Sequence, residues 1–176
     1  MPAMIRNAEP APIESEARWE LRFEERGHCA FGVWKNLVIA VWTRAGTGET
    51  VRELVRVGST VKGKYSAIHI INSGAGLPTP EGRAALVELL QQRTGKLACL
   101  AVVLRGHGFW ASAIQSAVTG LQLVVPKAIV KLRICDTLEQ AAEWLAAEHG
   151  GLTGVDLGAN DLRAVLNDAA SPRGSQ

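Results

Sequence analysis

Residues 66–104 read SAIHIINSGAGLPTPEGRAALVELLQQRTGKLACLAVVL. This stretch decides the fold. It opens on an apolar run, Ala67, Ile68, Ile70 and Ile71, short enough for a strand and closed by Asn72 and a small-residue loop. The loop leads into TPEGRAALVELLQQR, which carries helix-start signals in the right order. Thr79 can cap, Pro80 suits the first helical position, and Glu81 puts negative charge where the helix dipole favours it. KLACLAVVL follows. It is apolar nearly throughout, as in a strand buried on both faces of a parallel sheet. Strand, helix and strand in this order make a crossover unit.

Reading outward, the grammar differs on the two sides. Upstream, WELRFEER alternates, with Trp19, Leu21 and Phe23 on one face and Glu20, Arg22 and Glu24 on the other. A two-residue turn at Gly27 and His28 leads to CAFGVWK, and a turn at Asn36 leads to LVIAVWTR. These three strands form an antiparallel meander. GTGETVRELVRVGSTVKGK then spaces Val51, Leu54, Val55 and Val61 as a helix face, with Thr47 as its cap. Downstream, FWASAIQSAVTGLQLV reads as a helix with Phe109, Ile114, Ala117, Val118 and Leu121 inward. AIVKLRICD reads as a strand. TLEQAAEWLAAEHG reads as a helix with a capping box from Thr137 to Gln140 and an end at Gly150. The fold class is therefore α/β: a mixed sheet with an N-terminal antiparallel meander followed by αβ crossover units, its helices mainly on one side. Residues 1–18 form a flexible leader, 19–149 the domain, and 150–176 a mostly mobile tail holding one short helix at ANDLRAVLNDAA.

Composition narrows the function classes. The chain has 176 residues, 47% of them hydrophobic and 20% charged, an ordinary globular balance for one domain. A net charge of +2 gives no argument for nucleic acid. No apolar run approaches the ~20 residues of a membrane span, and the N-terminus lacks a secretory pattern, so a cytoplasmic location is expected. Cys29, Cys99 and Cys135 are widely spaced, suggest neither disulfide framework nor zinc site, and sit in apolar runs as buried thiols. No metal or other cofactor is expected.

The glycine-rich loop fails two nucleotide tests. A P-loop needs Lys and a hydroxyl after its last glycine, and here Arg83 and Ala84 follow Gly82. A dinucleotide loop needs a third glycine where Thr79 stands and an acid at the end of the next strand, which LACLAVVLRG lacks. The loop's hydroxyls, Ser73 and Thr79, remain candidates for phosphorylation beside a helix N-terminus. At the end of the next strand, Arg105 and His107 flank Gly106 in a segment able to contact an anion or small ligand, with Trp110 beside it. A hydrolase reading is weak: Ser112 lies one turn into a helix with no acid nearby. His28, His69 and His149 share no metal-ligand spacing and are assigned to a turn, a strand and a helix end. Of the four histidines, His107 is the first to mutate.

The element order, with INSGAGL ending a central strand, resembles a STAS domain, the fold of bacterial anti-sigma-factor antagonists. KLRICD followed by LEQAAEWLA, with Ala141, Ala142, Glu143, Trp144 and Leu145 in its final helix, looks more like the SpoIIAA-like branch. The resemblance implies a phosphorylatable Ser or Thr at the N-terminus of the helix after that strand. Asn72 stands where the antagonists carry an acid, and the loop before Thr79 is longer than theirs. The implied function is a non-enzymatic signalling or scaffolding module that binds another protein and is switched at Ser73 or Thr79. A second copy of the chain is a further candidate partner. The alternative is a protein binding a lipid-like or anionic small ligand in a pocket near Arg105 and His107.

Overall fold

The meander occupies one flank of a six-stranded sheet. Its strands are β1 (Glu20–Glu25), β2 (Cys29–Trp34) and β3 (Leu37–Trp42), paired antiparallel. The coordinates are a computed structural model, which describes residues 18–92, 95–106, 108, 112–113, 115–116, 119–120 and 130–171. Two local readings change. The first turn takes three residues, 26–28, because Glu25 pairs with Cys29. The register of β1 also shifts between Leu21 and Phe23. Such a bulge reverses the alternation. Trp19 and Leu21 therefore pack on one side of the sheet, while Phe23 stacks on Phe31 on the other, ring centroids 5.5 Å apart.

The crossover units follow. Helix α1 (Gly48–Ser59) links β3 to β4 (Tyr65–Asn72), and α2 (Pro80–Gln92) links β4 to β5 (Leu97–Arg105). Strand β6 (Lys131–Cys135) completes a sheet ordered β1-β2-β3-β4-β5-β6, in which β3 to β6 are parallel. Within the helix expected between β5 and β6, residues 112–113, 115–116 and 119–120 are helical, while its inward residues Phe109, Ile114, Ala117, Val118 and Leu121 lie outside the described residues. Thr47 caps α1 through a capping box with Thr50. Thr137 caps α3 (Leu138–Thr153), accepting from the Gln140 N–H at 3.2 Å, while the Gln140 side chain reaches the N–H of Asp136. Helix α3 does not stop at Gly150. It continues to Thr153 and ends where Gly154 turns left-handed, at φ 77°.

Helices cover both faces of the sheet, which corrects the expectation that they pack mainly on one side. Because the strands pair in chain order, right-handed crossovers place α1 and α2 together on one face. The strands are apolar on both faces, so the opposite face also needs a cover. It receives α3 and α4 (Ala159–Ala170). Residues assigned from sequence to the tail thus belong to the core: Leu162, Val165 and Leu166 are fully buried against Leu37, Ile39, Ile68 and Ile70. Burying a leucine side chain contributes about 2–3 kcal/mol, so these contacts bind the C-terminal helix firmly to the sheet. Among the described residues, no helix is long and apolar enough to cross a membrane.

Candidate functional site

Two of the sequence-selected corners meet at the C-terminal ends of the parallel strands. Asn72 ends β4 directly opposite Arg105 at the end of β5. The Arg105 guanidinium is already engaged: Nη1 donates to Asn72 Oδ1 at 3.3 Å and to the carbonyl oxygen of Ala170 at 2.8 Å. It therefore ties the sheet rim to the last turn of α4, where a cation suits the helix dipole. Ser73 is exposed and shares a cleft of about 590 Å³ with Arg105, Asp136 and Glu139. Two carboxyl side chains facing one arginine leave this cleft without the positive field an anion site needs. His107 and Trp110 lie outside the described residues.

Thr79 is a working helix cap. Its Oγ1 accepts from the Gly82 N–H at 3.1 Å, and its own N–H donates to the carbonyl oxygen of Gly46 at 2.9 Å. Gly82 sits so close to that same carbonyl that a Cβ would overlap it. Only glycine permits this approach. The start of α2 is thus clasped to the 44–47 loop. Arg83, one residue on, donates to the carbonyl oxygen of Pro78 at 2.8 Å.

Beneath this clasp lies an apolar cavity of about 110 Å³ between the sheet and α1 and α2. Its floor follows from the register. Val38, Ala67 and Leu100 form one row across the strands, and Ala40, His69 and Val102 form the next. Ala67 leaves room that a larger side chain would fill, and Leu86 and Leu89 of α2 form part of the wall. The 73–78 loop contributes Ala75, Gly76 and Pro78, with Gly74 and Gly76 at φ 88° and 74°. At the rim stand Arg44 and Arg83, both exposed, and neither forms an ion pair with a described residue.

His69 is the unusual member of this wall. Its ring lies 6.0 Å from that of Trp42 at 45°, and it makes no hydrogen bond to any described residue. Burial alone lowers its pKa from 6.5 to about 4, so the ring is neutral at pH 7. The ring is only partly buried, and a neutral imidazole on this wall offers one N–H donor and one nitrogen acceptor to whatever enters the cavity.

His149 on α3 shows the opposite arrangement. Its Nδ1 lies 2.7 Å from Ser66 Oγ and its Nε2 2.7 Å from Asn36 Oδ1. Asn36 donates through Nδ2 to the carbonyl oxygen of Lys64 at 3.0 Å, which identifies Oδ1 as its acceptor. Nε2 therefore carries the proton and donates to Asn36, while the Ser66 hydroxyl donates to Nδ1. Serine, histidine and asparagine are residue types of a hydrolytic relay. Yet Ser66 and His149 are both fully buried, and neither the apolar cavity nor the rim cleft reaches them. The network is a structural tie between β4, α3 and the β2–β3 turn. All three cysteines are buried and free. Burial, aided by Glu25, raises the Cys29 pKa to about 12, which leaves that thiol protonated and inert.

Reading the sequence missed His69, Arg44 and Arg83. His69 looked like one more residue of an apolar strand. The available signal was a titratable residue at an inward position next to alanine. Comparison with known proteins adds no relative: no family model, no curated protein and no solved structure matches the chain.

Proposed function

We propose that the protein is a non-enzymatic binding module of STAS-like build that takes a small, largely apolar molecule into the cavity beneath the 73–78 loop. One observation carries this reading. His69 lines an apolar cavity with no hydrogen-bond partner among the described residues, while both ring nitrogens of the fully buried His149 are bonded. A ligand bearing one hydrogen-bonding group would supply what His69 lacks. In this reading the small molecule sits at His69 rather than beside Arg105, which does not line the cavity. The meander, the crossover units and the hydroxyl-bearing loop before α2 support the STAS-like reading.

The test is thermal unfolding of the full chain with saturating toluene, alongside native mass spectrometry of freshly purified protein. A raised Tm in the wild type that disappears in Ala67→Leu, where the cavity is filled, is the expected result. An unmoved Tm and a clean apo mass would remove the reading.

A second reading, a protein-docking module switched by phosphorylation, draws on one feature. Leu77 is 44% exposed, the largest exposure of a big apolar side chain among the described residues, and it shares its loop with exposed Ser73. Phosphate on Ser73 would add charge beside that apolar contact and oppose docking. At Thr79 the same modification would have to displace the cap to Gly82. Affinity for a confirmed protein partner should fall in Ser73→Glu. Affinity unchanged from the wild type in both Ser73→Glu and Thr79→Glu eliminates the switch.

A further inference from the structure

The chemistry of the rim narrows the ligand class, and this step rests on the small-molecule reading above. The formal charges lining the cavity are the two guanidinium groups of Arg44 and Arg83, with no carboxylate among the described lining residues. The two arginines come from different elements, the loop after β3 and the first turn of α2. The Thr79–Gly46 hydrogen bond and the close packing of Gly82 hold those elements together. The segments that carry both positive charges are therefore held side by side on the cavity's lining. The rest of the lining is mostly apolar, and His69 adds a neutral polar edge. An engineered apolar cavity of about 150 Å³ accepts benzene, so 110 Å³ suits a body of about one ring.

We infer that the ligand is a small monocarboxylic acid: a ring-sized apolar body lies against Ala67, Leu100 and Val102, and a short tether delivers its carboxylate to Arg44 and Arg83. Guanidinium groups favour this partner because two parallel N–H donors match the two carboxylate oxygens. His69 contacts the body and selects for a polar substituent at that position. A cation or a dianion fits poorly. The first meets repulsion at the rim, and the second would have to place a charge inside the apolar chamber.

The probes are phenylacetate, its uncharged analogue phenylacetamide, and toluene, titrated calorimetrically into the full chain at low salt. Phenylacetate should bind about tenfold tighter than phenylacetamide. The preference should shrink toward unity in the double variant Arg44→Gln/Arg83→Gln and at 0.5 M NaCl, while toluene binding stays unchanged. Equal binding of acid and amide, with toluene still bound, overturns the carboxylate inference and leaves the cavity reading standing. A preference that survives in the double variant likewise overturns it. Failure of all three probes to bind the wild type overturns both.

Discussion

The two faces of the sheet handle an inward-facing histidine in opposite ways. On the α3–α4 face, His149 uses both ring nitrogens, and its partners come from a strand and a turn 83 and 113 residues away in the chain. On the α1–α2 face, the partly buried His69 uses neither with any described residue and lines the apolar cavity. Burial lowers both to a pKa of about 4, yet the consequences differ. A satisfied network locks elements together. A polar group on a cavity wall stays open to a ligand. The contrast separates a residue kept for the fold from one available for recognition.

Replacing each histidine tests that contrast most directly. His149→Leu strands Ser66 and Asn36 without their partner in the core and should lower unfolding free energy by about 2–5 kcal/mol in urea titrations. A loss below about 1 kcal/mol would mean the network holds nothing.

The pH dependence comes next in size. The folded pKa of His149 lies below the unfolded value of 6.5, chiefly through burial and secondarily through Lys35. Its contribution is therefore complete above pH 6.5 and drains away as pH falls toward 4, because the unfolded chain takes up the proton first. A shift of this size corresponds to about 3 kcal/mol. Stability measured from pH 7 to 4 should fall less steeply in His149→Leu than in the wild type by about that amount. Parallel curves would show that the ring titrates normally in the folded protein.

A smaller effect tests the clasp over the cavity. Thr79→Ala deletes the cap to Gly82 and should cost about 1 kcal/mol, with weaker binding of cavity probes as the rim loosens. Unchanged stability would show that the backbone bond to Gly46 suffices. The smallest effect belongs to His69→Leu. Removing an unpartnered imidazole should change stability by no more than about 1 kcal/mol, in the stabilising direction. A cost matching that of His149→Leu would erase the distinction between the two faces.

Thr79 as a helix cap and Thr137 opposite Gln140 were legible because a cap is a local device, contained within four residues. The parallel run of β3 to β6 was legible because a strand covered on both sides has no polar alternation. Arg105 reads from the sequence as an available donor, and its engagement with Ala170 depends on a segment 65 residues distant. Phe23 was placed on the wrong face because a bulge leaves no mark in the alternation that it interrupts.

The sequence by itself determined the order of strands and helices and most of their ends, since periodicity and capping act over a few neighbours. Tertiary structure alone decided that helices cover both faces, that Asn36, Ser66 and His149 satisfy one another, and that His69 shares a cavity with Arg44 and Arg83. The reason is physical: whether a buried polar group is paired depends on which distant element arrives beside it, and no local pattern records that arrival.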